Sequence, residues 1–360
     1  MPDDVQVKQF ELPERDALLS FLRSAYPGEP LKSDPAFWEW HHLENPYARP
    51  DNLPVWVVKS RDLVVGQLAA IPMRLKVGRD EMSAVWVVNI ILDPDYRGRG
   101  LGKRLFQVAA ETYCPRMVAL GYNEASGAIL RSFSWVDLGH INRYHIMLYP
   151  GHAAKEVSRL APARHLLNLV YAPFRPGSSR LAKAGDGALR EVTRFDSSFD
   201  QLWEGASIQW PCAMVRSSRF LEWQFMKQPG KKFDVLGYYE GERLLGYVVL
   251  FFRKAVHGGA SDKVAISDLC YDARNAPMVV EGLLKGALRL AIERRAGGLV
   301  IDVLDPRVEQ QLSRLGFWRV KSSPGFMAGT FERLDLLYER SNWFLTRGDS
   351  DVSIFEEPNL

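Results

Sequence analysis

The stretch "DPDYRGRGLGKRLFQVAAE", Asp93–Glu111, joins a predominantly apolar run, "AVWVVNIIL", to a helical pattern. Gly98, Gly100 and Gly102 stand on alternate positions, where a missing Cβ lets the backbone turn tightly and lets a ligand approach the main chain. The helix should begin near Gly102, and N–H groups at a helix N-terminus, supported by arginine and lysine, bind phosphate. The stretch therefore predicts a polyphosphate site between a strand and a helix.

The spacing excludes two common phosphate loops. A Walker loop needs Ser or Thr after its lysine, whereas Arg104 follows Lys103. A dinucleotide fingerprint is G-x-G-x-x-G with an acidic residue further on, whereas this loop is G-x-G-x-G without that residue. The pattern R-x-x-G-x-G, Arg97 to Gly102, preceded by "DPDY", resembles instead that of the GCN5-related N-acetyltransferases (GNAT).

The resemblance runs from Val5 to about Leu148 and includes "YNEASGAILRSFSW", where the family places N-x-x-A…Y…G-F. It implies that the loop binds the pyrophosphate of acetyl-coenzyme A, a co-substrate. It also implies that the preceding strand splays from its neighbour, so that the pantetheine arm bonds to the backbone around Ile90 to Leu92. The coenzyme-binding residues carried over in this way are Ile91, Leu92, Arg97, Gly98, Arg99, Gly100, Leu101, Gly102, Lys103 and Asn123.

The chain departs from the family pattern after Asn123. Ser126 takes the usual Ala place, and Leu130 stands where many members carry a Tyr that protonates the leaving thiolate. Tyr122, Tyr144 and His145 are the alternative acids. Unassisted departure is the other explanation, because a thiol with a pKa near ~8.5 leaves readily as thiolate.

The acceptor amine must lose a proton before it attacks the thioester, since an amine of this kind has a pKa of about 10. Asn89 is the polar residue inside the apolar strand; it could hold a water or the acceptor, or only fit an irregularity of the strand. His41 and His42, in "WEWHH", are candidates for a base or an acceptor contact.

The sequence also resembles itself at a period of roughly 180 residues. "AFWEWHHLENP" (Ala36–Pro46) aligns with "RFLEWQFMKQP" (Arg219–Pro229), and Gly66 aligns with Gly246. Strand patterns of period two alternate with helical patterns in both halves. The predicted fold is therefore α/β (α+β), with two tandem GNAT-type domains, each a mixed, mostly antiparallel sheet flanked by helices.

The second half lacks the glycine loop. Its counterpart, "DARNAPMVVEGLL" (Asp272–Leu284), has no glycine before Gly282, and Pro277 removes a backbone donor. One coenzyme site, in the first half, is therefore expected. The expected organisation is a catalytic domain (1–150), a connector helix and linker (151–189), a degenerate domain (190–333) and a C-terminal tail (334–360).

Composition limits the class of protein and the cellular compartment that fit this sequence. The chain has 360 residues, of which 47% are hydrophobic and 25% charged, the balance of a globular protein. The sequence predicts no membrane insertion, because its apolar runs are shorter than the ~20 residues of a spanning helix. A net charge of +3 gives no argument for nucleic acid, and three cysteines suggest reduced thiols in the cytoplasm rather than disulfides or a metal site.

The function expected from the resemblance is direct transfer of an acetyl or short acyl group from acetyl-coenzyme A to a primary amine of a small molecule. A longer acyl chain or an acyl-carrier protein as donor is the first alternative. A non-catalytic acyl-coenzyme A sensor is the second, and a homodimer is left open.

Overall fold

The chain forms two compact units in a computed structural model that describes residues 5–113, 116–151, 164–172, 188–253, 263–321, 324–330 and 334–351. Unit 1 comprises Met1–His140, Lys227–Lys231 and Pro324–Asn342, and unit 2 comprises Ile141–Met226, Lys232–Ser323 and Trp343–Leu360. Each unit combines segments from both halves of the sequence, so the division differs from the boundaries expected at residues 150, 189 and 333. The expected linker and tail lie partly outside the described residues.

The strands are β1 (Val5–Gln9), β2 (Val55–Ser60), β3 (Leu63–Val77), β4 (Asp80–Leu92), β5 (Arg116–Leu120), β6 (Val136–His140), β7 (Asn142–Met147), β8 (Leu189–Glu191), β9 (Cys212–Met214), β10 (Phe233–Glu240), β11 (Arg243–Arg253), β12 (Lys263–Tyr271), β13 (Gly298–Leu304), β14 (Trp318–Val320), β15 (Gly325–Thr330) and β16 (Trp343–Thr346). The α-helices are α1 (Arg15–Ala25), α2 (Pro35–His42), α3 (Leu101–Thr112), α4 (Glu124–Arg131), α5 (Arg164–Tyr171), α6 (Ser197–Ala206), α7 (Ser218–Leu221), α8 (Ala276–Glu293) and α9 (Pro306–Arg314). The helix α5 lies within the predicted connector.

The sheets of the two units have the same strand order and directions. In unit 1 the order is β1–β2–β3–β4–β5–β15–β6, and in unit 2 it is β8–β10–β11–β12–β13–β7–β14. The fourth and fifth strands of each sheet, β4 with β5 and β12 with β13, are parallel, whereas the other neighbours are antiparallel. Gly66 pairs with Leu92 in unit 1 and Gly246 pairs with Tyr271 in unit 2, which confirms that the two glycines are equivalent.

The sixth strand of each sheet comes from the other half of the chain. A single residue, Ile141, separates β6 from β7. A β-hairpin needs a loop of at least about two residues, so β7 cannot fold back beside β6. Instead β7 pairs with β13 in unit 2, and β15 takes the place between β5 and β6 in unit 1.

Each sheet buries an apolar layer under a helix. In unit 1 the buried face of α3, with Leu105 and Phe106 fully enclosed, packs on alternate residues of β2, β3 and β4. In unit 2 the long helix α8 packs on β10, β11 and β12 in the larger core cluster. Cys212 and Cys270 are free and buried in unit 2, and Cys114 lies outside the described residues.

Unit 2 contains a fully buried charge cluster. Arg216, 1% exposed, donates from Nη2 to Asp268 and to Asp349, each over 3.0 Å. The hydroxyls of Tyr247 and Thr346 donate to Asp268 over 2.7 and 2.8 Å. Burial raises the pKa of Asp349 to about 6, although Arg216 opposes the shift. The cluster is stable only while the guanidinium compensates both carboxylates.

Replacing Arg216→Met should therefore lower the free energy of unfolding by about 3–5 kcal/mol, because two carboxylates would stay buried without their cation. Urea denaturation measures the change. Arg190→Met is the control: the Arg190–Glu242 pair is exposed, so its loss should cost about 0–1 kcal/mol. Equal losses in the two variants would contradict a central role for the buried cluster.

Candidate functional site

A β-bulge interrupts β4 just before the glycine loop. Gln67 of β3 pairs with Ile91, whereas Ala69 pairs with Val88, so β4 carries one extra residue between these pairs. Asn89 lies in this extra stretch with φ of 51°. Asparagine is among the few non-glycine residues that adopt this left-handed conformation at low cost. The left-handed backbone conformation at Asn89 is therefore the first reason for a polar residue in this apolar strand.

Ahead of the bulge, after Trp86, β4 separates from β5. The two strands are wholly within the described residues, and they pair only at Val85 with Met117 and at Trp86 with Val118. From there β5 continues against β15. Asn89–Leu92 become partly exposed along the edge of β4 that has left β5. The predicted splay is therefore present, and it leaves the backbone of Asn89–Ile91 without a partner on β5, where an extended ligand could bond.

The loop at the end of this edge has the geometry of an anion site. Gly98 and Gly100 both have φ of 74°, and a Cβ added at either would meet no atom within 4 Å. Gly100 is the N-cap of α3 and has no side chain to cap it. Among the described residues, the N–H groups of Leu101–Lys103 have no hydrogen-bond acceptor. These donors, at the positive end of the helix dipole, favour a phosphate.

Gly102 serves a different purpose from the other two glycines. It is buried, and a Cβ there would lie 2.9 Å from Cδ1 of Ile129 on α4. The absence of a side chain at Gly102 therefore also lets α3 pack on α4, while the predicted coenzyme contact of Gly102 stays a prediction. Lys103 follows on the exposed surface, with Nζ 5.5 Å from the ring centroid of Phe133.

Two arginines of the loop are oriented by main-chain oxygens. Arg97 Nε donates to the carbonyl of Leu92 over 3.0 Å, and Arg99 Nη2 donates to that of Asp95 over 2.9 Å. The Arg99 guanidinium also lies 5.1 Å from the ring centroid of Tyr96. Both side chains are exposed, so they can supply charge to an anion at the loop while each uses part of its donor set to hold the turn.

Asn123 is the N-cap of α4. Its Oδ1 accepts from the backbone N–H of Ser126 over 2.9 Å, and Ser126 Oγ accepts from the N–H of Asn123 over 3.1 Å. Serine in place of the usual alanine thus completes a capping box. Leu130, at the position of the missing tyrosine, is 1% exposed and belongs to the core beneath α3. A tyrosine there would put its hydroxyl into apolar packing.

Of the three acid candidates, Tyr122 lies in unit 1, the unit that carries the loop. Its hydroxyl is hydrogen-bonded to Asp137, and burial together with that carboxylate raises the pKa of Tyr122 to about 12. A phenol held this way remains protonated at neutral pH, but it is a weaker acid than a thiol by several pKa units.

Tyr144 and His145 lie on β7 and therefore in unit 2. The Tyr144 hydroxyl donates to Glu309 over 2.9 Å, and burial followed by Glu309 raises the pKa of Tyr144 to about 12. The His145 ring lies 5.0 Å from that of Trp318, and burial, with a smaller effect of Lys263, lowers the pKa of His145 to about 4. Both side chains have local partners in unit 2, which the sequence interpretation did not include.

His41 and His42 lie together on α2, each at least 96% buried, with Nδ1 of the first 3.4 Å from Nε2 of the second. Burial lowers the pKa of His41 to about 4, and burial together with His41 lowers that of His42 well below its usual value. Both rings are therefore neutral at neutral pH. Nε2 of His41 and Nδ1 of His42 have no hydrogen-bond partner among the described residues.

The aromatic residues around this pair are packing residues, as expected from the repeat. Phe37 and Trp40 of α2 have ring centroids 5.2 Å apart, and the equivalent Phe220 and Trp223 in unit 2 are also 5.2 Å apart. The two histidines are replaced by Gln224 and Phe225 in the second half.

In unit 1 the separation of β4 from β5 leaves an open slot between these strands. In unit 2 the equivalent gap, between β12 and β13, is filled by another segment of the chain. After Ile266 pairs with Ile301, β12 leaves β13, and β16 pairs with the freed edge of β13. Asp268, the counterpart of Asn89, binds Arg216 and Thr346 there. The turn after β16 also approaches β12, since a Cβ on Gly348 would lie 2.8 Å from the carbonyl oxygen of Ser267. The chain itself thus occupies this slot.

The comparisons with known proteins agree with this geometry. Residues 6–136 match the family model of an acetyltransferase (GNAT) domain. The N-terminal part of the chain is a GNAT acetyltransferase domain. No curated protein matches the chain significantly.

Solved structures resemble 90–91% of the chain at sequence identities of 11–13%. At such low identity the resemblance shows the fold and not the function. Saccharomyces cerevisiae N-myristoyltransferase with bound myristoyl-CoA is 11% identical, with a TM-score of 0.61 over 91% of this chain and 83% of that one. A probable N-acyltransferase from Enterococcus faecalis V583 is 12% identical (TM-score 0.59; 90% and 72% covered). A GCN5-related N-acetyltransferase from Anabaena variabilis is 13% identical (TM-score 0.59; 90% and 72% covered). The predicted mixed α/β GNAT fold is confirmed.

Two features are absent from the described residues. No helix there combines the length and apolar composition needed to cross a membrane. Nor does that part of the chain contain a group of three or more His, Cys, Asp or Glu side chains placed to hold a metal ion.

Gly100→Asp should abolish acetyl-coenzyme A binding, because it puts a negative charge at the open N-terminus of α3. Its control is Gly316→Asp, which has the same open surroundings and a φ of 87° but lies away from the loop, in unit 2. Calorimetry should show the loss only for Gly100→Asp, with both variants folded. Gly102→Asp should instead lower the melting temperature. Unchanged coenzyme affinity in Gly100→Asp would refute the loop assignment.

The buried histidines should make the protein less stable in mild acid. In the unfolded chain both take up a proton below about pH 6.5, whereas folded His41 remains neutral down to about pH 4. The free energy of unfolding should therefore fall as pH falls from 6.5, by up to about 1.4 kcal/mol per pH unit for each histidine. Urea titrations between about pH 5 and pH 7 should give a shallower fall for His41→Gln/His42→Phe, the residues of the second half.

Proposed function

We propose that the protein is an acyl-coenzyme A-dependent N-acyltransferase of the cytoplasm. It would move an acetyl or other short acyl group directly to a primary amine of a small molecule. The observation that carries the proposal is the freed edge of β4, which runs past the bulge at Asn89 to the glycine loop and the start of α3. There the N–H groups of Leu101–Lys103 have no acceptor among the described residues.

The two parts of this edge suit the two parts of the coenzyme. The N–H groups of Leu101–Lys103, with Arg97 and Arg99, would bind the pyrophosphate. The backbone around Ile90–Leu92 would bond to the amides of the pantetheine arm as a neighbouring strand would. The thioester would then lie near the bulge, where the direction of the backbone donors changes.

The transfer itself would depend on positioning and backbone dipoles. An N–H at the bulge would polarise the thioester carbonyl, and the neutral amine would attack its carbon. The C–N bond forms, the C–S bond breaks, and the amine loses its extra proton to water. The thiolate leaves without a tyrosine at Leu130, which is tolerable because its pKa is near ~8.5. Asn89 would orient the acceptor or a water; His41 and His42 would contact the acceptor.

Transfer of a longer acyl chain is the second candidate. It is favoured by one observation, the resemblance to an N-myristoyltransferase whose structure contains myristoyl-CoA. Turnover measured with acetyl-, octanoyl- and myristoyl-coenzyme A separates the two candidates. A non-catalytic sensor would bind one of these thioesters without releasing thiol in the presence of any amine.

Titration should give one acetyl-coenzyme A per chain, because unit 2 fills the equivalent slot with its own residues and starts α8 with Pro277. Arg274→Ala, in the second-half loop, should leave the affinity unchanged, whereas Arg97→Ala should weaken it about tenfold, the loss of one charge-assisted contact. A stoichiometry of two, or equal effects of the two substitutions, would show that unit 2 also binds coenzyme.

A further inference from the structure

Unit 1 has several buried polar side-chain atoms that have no hydrogen-bond partner among the described residues. Native proteins contain few such atoms, since each one costs free energy unless a ligand or water satisfies it. Those on α2, β3 and β4 are Trp38 Nε1, His41 Nε2, His42 Nδ1, Gln67 Oε1 and Trp86 Nε1.

Gln67 and Trp86 share the face of the sheet that is turned away from α3. Leu68, the neighbour of Gln67 in β3, belongs to the core beneath α3, so Gln67 projects to the opposite side. Trp86 pairs with Ile71, four residues along from Gln67, and therefore shares its face. This face is distinct from the one that supports the phosphate loop.

Gln67 is also the polar side chain closest in register to the bulge. It pairs directly with Ile91, and the next pair of the two strands is Ala69 with Val88. Asn89 lies between these two pairs. Gln67 is 98% buried, and its side-chain carbonyl oxygen has no hydrogen-bond partner within the part of the chain that the structure describes. An oxygen of this kind can accept a hydrogen bond from an N–H group but repels a carboxylate or phosphate.

We propose that Gln67 binds the acceptor, with its side-chain carbonyl oxygen accepting a hydrogen bond from the amine that is acylated. The proposal rests on the proposed function, which puts the thioester at the bulge. Gln67 is itself uncharged and 98% buried. A buried uncharged site disfavours the ammonium form, so the amine would lose its proton on entry and reach the thioester as a nucleophile.

The test compares wild type with Gln67→Leu, and with Gln67→Met should the first variant fail to fold. Gln224→Leu is the matched control, since Gln224 in unit 2 is also buried, at 4% exposed, and its carbonyl oxygen likewise has no hydrogen-bond partner among the described residues. Acetyl-coenzyme A affinity, melting temperature and thiol release are measured for each protein. The acceptor probes are glycinamide, spermidine and glucosamine.

Gln67→Leu should keep the acetyl-coenzyme A affinity. With the best amine, its kcat/KM should fall about tenfold or more, mostly through KM, as for the loss of one buried hydrogen bond. The melting temperature should rise or stay level, because an unsatisfied group is removed. Gln224→Leu should leave the acceptor KM unchanged.

Wild-type acceptor kinetics in Gln67→Leu would overturn this inference and leave the proposed function intact. Failure of the wild type to bind acetyl-coenzyme A would instead contradict the proposed function. Where the wild type uses none of the three amines, the melting temperature decides. A rise in Gln67→Leu supports a site that evolved for a ligand, and a fall shows that Gln67 has a structural partner and overturns the inference.

Discussion

The separation of β4 from β5 is the constraint on which the rest of the molecule depends. Parallel neighbours in a sheet normally satisfy each other along their length, yet these two strands share only two residue pairs. The pairing ends at Trp86, and the bulge at Asn89 follows three residues later, where an extra residue bends the strand and increases its twist. The freed backbone groups need partners, and in unit 1 they lie along a partly exposed slot that ends at the N-terminus of α3.

Unit 2 has the same strand order, but there another strand of the chain pairs with the backbone that the separation exposes. Its β12 leaves β13 at the equivalent place, and β16 takes the freed edge. Asp268 replaces Asn89 and is compensated by Arg216, so a buried charge cluster stands where unit 1 has an open edge. One sheet keeps an open edge and the other is completed by its own chain, so the two units share a frame and differ at this edge.

The two ends of the unit 1 slot differ in charge. The loop end carries free N–H donors and the exposed side chains of Arg97 and Arg99, which suits phosphate. At the other end the uncharged, buried Gln67 pairs with Ile91 beside the bulge, which would suit an amine without its proton. A cationic end that anchors the donor and a neutral end that receives the acceptor would keep the two substrates in a fixed order along one strand.

The sequence alone determined the features that depend on neighbouring residues. The strand, the loop with Gly98 and Gly100, the helix after it and the internal repeat are local patterns, and each is present in the structure. The tertiary structure decided everything that depends on residues far apart in the chain. The exchange of β7 and β15, the packing of Gly102 against Ile129 and the filling of the unit 2 slot by β16 each join segments with no sequence signal for one another. It also put Tyr144 and His145 in a different unit from the loop, because strand pairing is chosen by the edge that remains free after folding and not by order along the chain.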